Sequence, residues 1–199
     1  MSIYPVVLFL HIVGANGYFV GMGIWLFGLS AMRRAQHVEQ VRTLAHLVGL
    51  TGPLFGISVL VLLAAGVYMA LTAWSLLTGW ILVGLVSLVL LAPLGTALLE
   101  PRRRTIERQA REAADSSLPE ALERSVHDPV LLTAVQTLTI LLLGVVFLMT
   151  TKPSLGGSLI VMGVALLLGL ASSVLVSQRR RTPRQGMVDQ RVRDKEPIG

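Results

Sequence analysis

Charge is missing from three long stretches of this chain, and that absence constrains the fold more than any motif. Tyr4 to Met32 and Leu47 to Leu99 contain no Asp, Glu, Lys or Arg, and Val130 to Gln178 contains only Lys152. A helix crossing the hydrocarbon of a bilayer needs about 20 largely apolar residues. A chain of 199 residues patterned this way has no room for a sizeable soluble domain. Its charged fraction of 14% falls well short of the roughly one quarter found in soluble domains. The pattern predicts an all-α fold, a polytopic transmembrane helical bundle.

Five spans account for the apolar runs. The first covers about 4–32, with Pro5 in the first turn, where its missing N–H costs nothing. At about 1.5 Å per residue this run exceeds the hydrocarbon thickness, so the helix tilts or protrudes. No basic region or small-residue cleavage site precedes it, and it reads as a retained span rather than a signal peptide. The second covers 47–74, and Gly52-Pro53 predicts a kink in it. Trp74 to Thr78 form a tight turn into the third span, 79–99. Asp128 as N-cap and Pro129 at the first helical position start the fourth, 129–150. Lys152-Pro153 and Gly156-Gly157 mark the next turn, and the fifth span, 154–177, stops at Arg179-Arg180-Arg181. Residues 1–178 thus read as one transmembrane domain. The basic tail 179–199, poor in apolar residues, is expected to be disordered.

Orientation follows from the cations. With the N-terminus outside, the inner segments 33–46, 100–128 and 178–199 hold three, six and seven Lys or Arg, 16 of the 17 in the chain. Only Lys152 lies outside. This is the positive-inside pattern of an N-out, C-in protein, and the cytoplasmic (inner) membrane of a bacterium is the expected location. Tyr4, Tyr68, Trp74 and Trp80 gather at the outer interface as an aromatic belt. The formal charge of +6 therefore reflects helix orientation against the inner leaflet, not nucleic-acid binding. In 100–128, 13 of 29 residues are charged. Arg103/Glu107, Glu107/Arg111, Arg108/Glu112 and Arg111/Asp115 fall at helical i,i+4 spacing. Ser117-Leu118-Pro119-Glu120 fits a capping box opening a second short helix. The segment reads as a solvated helical hairpin, or as a surface on which another membrane subunit docks.

Chemistry is sparse. The chain has no cysteine, which removes disulfides, thiolate metal sites and covalent c-type haem. No acidic or basic residue lies in the middle of a span, which argues against an ion-coupled carrier. What remains inside is His11, Asn16, Gln136 and scattered hydroxyls. His11 lies about two turns below the outer end of the first helix. It is either a packing histidine bonded to a neighbouring helix or an axial ligand to a b-type haem. His46 and His127 lie at the inner ends of their spans, too far in depth to share a haem with His11, and His37 reads as solvated. Met162, eight residues into the fifth span, matches His11 in depth and is the candidate second ligand. Lys152, on the same side, is the candidate partner for a haem propionate. Each methionine equally serves as filler in an apolar helix. Gly17-xxx-Gly21 and Gly52-xxx-Gly56 predict close approach of the first two helices. No catalytic residue is assigned, and whether the chain is an enzyme is left open.

Leu10-His11-Ile12-Val13-Gly14-Ala15 followed by Val20-Gly21 resembles the opening helix of small bacterial membrane proteins related to the copper-resistance D family. The nearest likeness is to a branch of integral membrane proteins of unknown function. Arg42 to Leu71, closing on Gly66-Val67-Tyr68-Met69-Ala70, is similar to that group's second helix, and Leu148-Met149-Thr150-Thr151-Lys152-Pro153 to the ending of a late helix. The likeness covers about residues 6–155. It implies kinship with copper transporters and with b-haem membrane proteins such as the bacterial protoporphyrinogen oxidase, and carries their functional histidine onto His11. This chain has no lysine in its third span and no second histidine at the depth of His11.

The sequence thus frames three functions: a small b-haem redox or haem-handling protein, a non-catalytic accessory subunit of a larger membrane complex, or a copper or small-solute permease. The absence of cysteine makes the topology directly testable. Ser75→Cys should react with a membrane-impermeant maleimide in intact cells, and Ser125→Cys only after permeabilisation. The reverse pattern would invert the orientation.

Overall fold

A peptide group in hydrocarbon has no water to bond, so apolar runs of this length close into helices. The computed structural model describes residues 3–114 and 117–179, with side chains described as far as 172. The helices are α1 (Tyr4–Met32), α2 (Val38–Gly49), α3 (Thr51–Ala73), α4 (Gly79–Glu112), α5 (Glu120–Val126), α6 (Pro129–Thr151) and α7 (Leu155–Arg179). Five helical stretches are long and apolar enough to cross a membrane, with α2 and α3 forming one and α5 and α6 another. The tail 180–199 lies outside the described residues.

The N-cap of α6 forms as its residues dictate: Asp128 Oδ1 accepts from the Val130 amide at 2.9 Å. Three local expectations need correction. The break in the second span falls at Leu50, between α2 and α3, rather than at Gly52-Pro53. Pro53 lacks the N–H that the Gly49 carbonyl would accept, and its ring crowds that carbonyl, so the disturbance appears a turn earlier. The helix that carries the third span does not stop at 99, because α4 continues through Pro101 to Glu112. The capping box is not formed. Pro119 is the N-cap and makes no side-chain cap bond, so Glu120 stands at the first helical position instead of the third. Ser117 is drawn instead into an antiparallel bridge with His37.

Lipid tails are as apolar as leucine, so helix association in a bilayer depends on close packing. Helix α1 packs chiefly on α3, α7 on α6, and α4 on α6, while α1 also meets α6 and α4 meets α3 more sparsely. Helices α1, α3, α4 and α6 thus form a ring, with α7 against its α4–α6 side. On the α1–α3 seam, a Cβ at Gly21 would lie 2.7 Å from the Phe55 ring, and one at Gly17 2.5 Å from Ser58 Oγ. The expected approach at Gly17 and Gly21 is therefore present. Gly52 and Gly56 behave differently: a Cβ at either would meet nothing within 4 Å.

The end of the bundle holding α2, α5 and the last turns of α4 is basic, and it is more than a solvated hairpin. Val38, Val41, Ala45, Val48, Ile106, Ala110, Leu122 and Val126 are all buried there. Arg42 ties α2 to the end of α4, donating from Nε and Nη2 to the Ala110 carbonyl at 3.2 and 3.0 Å and from Nη2 to that of Ala113 at 3.3 Å. A guanidinium at the C-terminus of a helix also meets the negative end of its dipole.

Backbone approaches backbone closely between α6 and α7, where a Cβ at Gly169 would stand 2.7 Å from the Thr137 Cα. Backbone cannot yield as a side-chain tip can. Gly169→Ala should destabilise the folded protein by about 1–3 kcal/mol, read as a lower melting temperature in detergent. Gly56→Ala, facing open space, should leave that temperature nearly unchanged.

Candidate functional site

The three residues singled out for a haem are placed in separate surroundings. His11, half-buried on α1, lays its ring against α3, and a Cβ at Gly66 would be 3.3 Å from the imidazole Cε1. The Leu62 carbonyl lies toward the ring, yet Nδ1 itself is enclosed and makes no hydrogen bond. Met162 belongs to the α6–α7 seam, with its Sδ 3.2 Å from where a Gly144 Cβ would be. A haem held between His11 and Met162 needs α1 and α7 to face each other, and these helices pack instead on α3 and α6. Lys152, in left-handed backbone at the end of α6 (φ 50°), holds Nζ 4.6 Å from the Trp74 ring centre and 5.8 Å from that of Trp80. The two indoles meet edge to face, 5.4 Å apart. The ammonium is thus engaged in a cation–π cluster at the end of the bundle opposite the basic one.

Of the other polar groups inside the spans, Thr137 Oγ1 is buried without a hydrogen-bond partner, while Asn16 and Gln136 are bonded locally. Asn16 Nδ2 donates to the Ile12 carbonyl at 2.9 Å, and Gln136 Oε1 accepts from Ser172 Oγ at 3.3 Å. They lie on different helix pairs and form no continuous polar path. His46 and His37 are exposed, while His127 Nδ1 lies 2.9 Å from the Glu123 carbonyl. Among the described residues no group of three His, Cys, Asp or Glu is placed to hold a metal ion.

A feature not visible in the sequence is a cleft of about 490 Å³ inside the ring of α1, α3, α4 and α6, within the roughly 300–1,000 Å³ of small-molecule sites. Aromatic residues line one side: Tyr18 and Phe55 meet edge to face at 5.0 Å, and Trp25 donates from Nε1 to Thr51 Oγ1 at 3.2 Å. Gly52 and Gly56 of α3, across from Pro93 and Thr96 of α4, leave the space itself. Its charged lining is confined to Glu100 and Arg104.

These two belong to a network that runs along α4. Arg103, only 14% exposed, donates to Glu100 at 2.7 Å and to Glu107 at 2.6 Å. Arg104 Nε donates to Glu100 at 2.8 Å, and Arg111 to Glu107 at 2.5 Å. The expected pairs Arg103/Glu107 and Glu107/Arg111 are therefore made, whereas Asp115 lies outside the described residues. Across helices, Arg102 meets the capping Asp128 at 2.9 Å. Hydrogen bonding from Arg103, then from Arg104, outweighs partial burial and holds the Glu100 carboxyl down to about 2. Burial pushes Glu107 up, but bonds from Arg111 and Arg103 leave it below the usual carboxylate value. The i,i+4 charge pattern was the sequence signal for this network. The i,i+3 contribution of Glu100, past the expected end of the third span, needed the helix to continue.

The sign of the resulting pH dependence follows from the lowered value. A carboxyl with an ordinary value of 4.5 that falls to about 2 on folding stabilises the protein fully above pH 4.5. That contribution declines as pH falls from there towards 2. The difference in melting temperature between the wild type and Glu100→Gln should hold constant from pH 7 to about 5 and shrink on further acidification. A difference that grows in acid would overturn the assignment.

No curated protein and no solved structure matches the chain. The model of a family described as "Predicted integral membrane protein (DUF2269)" matches residues 5–153, from the start of α1 to just past the end of α6.

Proposed function

The chain belongs to the DUF2269 family of integral membrane proteins, and from that premise we propose that it is a non-catalytic accessory subunit of a larger membrane complex. It docks a partner through its basic end, oriented towards the cytoplasm of a bacterial cell. The observation that carries this reading is the folded platform of α2, the last turns of α4 and α5. Solvated charged segments do not need a core, whereas this one buries Val38, Val41, Ala110 and Val126 completely. Arg42 and Arg102 join its helices. Arg104, Arg111 and Arg124 project from it into solvent. A rigid surface of this kind loses little conformational entropy on association.

The test is the size of the native assembly, extracted from its own membrane in mild detergent and run on a native gel. An assembly larger than the chain alone should be lost in the double variant Arg108→Glu, Arg124→Glu, both exposed and outside the Glu100–Glu107 network, while the melting temperature of the purified protein is retained. A wild type that migrates as the bare chain would overturn this reading.

The haem reading rests on a different observation, the enclosed Nδ1 of His11 without a hydrogen-bond partner. In that reading His11 ligates b-type haem in the outer half of the bundle, with its second ligand outside the α1–α3 pair. Protein expressed with ample haem should then show a Soret band and a sharp reduced α band, both lost in His11→Ala. A colourless wild type of unchanged fold would remove this reading. The permease reading has no comparable support, since Asn16 and Gln136 lie on separate helix pairs and each is bonded there.

A further inference from the structure

We propose that the cleft between α1, α3, α4 and α6 is a binding site for an anionic membrane phospholipid, one acyl chain inside and the phosphate on Arg104. The proposal shares Arg104 with the docking face, but it is read from lipid binding to the isolated protein, so its failure and that of the partner reading are distinguishable.

The bilayer supplies apolar chains to any opening of suitable shape, so the question is what makes this opening selective. Three features do. Gly52 and Gly56 sit one turn apart on the α3 wall, and neither would meet an atom within 4 Å if it carried a Cβ. These glycines are therefore not closing a helix seam, as Gly17 and Gly21 do. They widen a channel whose opposite wall is formed by Ala92, Pro93 and Thr96 of α4.

The second feature is chemical asymmetry. Apart from Glu100, Arg104 and the Tyr18 hydroxyl, the lining is apolar or carries polar groups already bonded. Thr96 Oγ1 donates to the Ala92 carbonyl at 3.1 Å, and Trp25 is bonded to Thr51. An occupant with one long apolar part and one charged end fits this distribution, whereas a polar solute would leave its groups unbonded in the interior.

Charge complementarity is the third. Arg103, Arg104 and Arg111 with Glu100 and Glu107 form one chain of ion pairs, and three cations against two anions leave a single positive charge. A phosphodiester carries one negative charge. Arg103 is committed to two carboxylates and largely enclosed, while Arg104 is 74% exposed and engages Glu100 through Nε. Its two terminal nitrogens make no hydrogen bond among the described residues and present the planar fork suited to phosphate oxygens. Glu100 holds that guanidinium at the mouth of the cleft, so the phosphate meets an arginine already in position.

The experiment uses the full-length protein in mild detergent, titrated with phosphatidylglycerol while the melting temperature is followed. The expected result is a saturable rise that phosphatidylcholine with the same chains does not produce and that inorganic phosphate does not reproduce. Arg104→Gln should weaken the apparent affinity roughly tenfold, the scale of one charge-assisted hydrogen bond, and Arg104→Lys should lose less. Gly56→Leu should abolish the rise by filling the cleft, without lowering the starting melting temperature. Should Gly56→Leu fail to fold, Thr96→Leu fills the opposite wall and carries the same expectation. An equal rise with phosphatidylcholine or with phosphate alone would overturn the proposal. So would a rise that survives the filled cleft, or a doubling of mass showing that a second copy occupies the opening.

Discussion

Every backbone N–H and C=O placed in hydrocarbon must be satisfied by the chain itself, and the rest of this structure depends on that condition. It turns the charge-free runs into helices and leaves the turns between them at the two ends of the bundle. It also explains what the prolines do. Pro53 deprives the Gly49 carbonyl of its helical partner, and the chain breaks at Leu50, where the second apolar run meets the amphipathic α2. Pro93 and Pro101 instead remain inside α4. The first of them lies beside the cleft, on the side of α4 that meets α3 only sparsely.

Once the helices exist, their association is a matter of contact rather than of hydrophobicity. The α1–α3 and α6–α7 pairs use glycines to bring chains together, at Gly17 and Gly21 in one and at Gly144 and Gly169 in the other. Between α3 and α4 the same residue type does the opposite, because Gly52 and Gly56 face no side chain large enough to fill the gap. The ring is therefore tight on some seams and open on one. The opening, more than any titratable group within the spans, is what distinguishes this bundle from a passive set of helices.

The basic end is organised by a different force. Glu100 and Glu107 are each shared between two arginines, and the network is held against a small apolar core rather than free in solvent. Exposed ion pairs contribute little to stability, but Arg103 is enclosed, and removing both of its carboxylates would leave a buried charge without a partner. This end is accordingly stiff, which suits both roles assigned to it: a surface for another protein and an anchor for a phosphate.

The one-dimensional pattern of charge and hydropathy was enough to determine the all-α class, the five membrane-length stretches, the N-cap at Asp128 and the i,i+4 pairs of α4, because each depends on neighbours within a turn of helix. Membership of the DUF2269 family agrees with the integral membrane proteins of unknown function that the motifs around His11 and Lys152 resembled. Whether a glycine closes a seam or opens a cavity depends on what stands opposite, which no local rule contains. For the same reason matched depth could not decide whether His11 and Met162 meet: depth fixes one coordinate, and the packing of α1 on α3 and of α7 on α6 fixes the other two. The buried core beneath the charged hairpin was hidden likewise, since its halves come from residues 38–48 and 106–126 and only the folded chain brings them together.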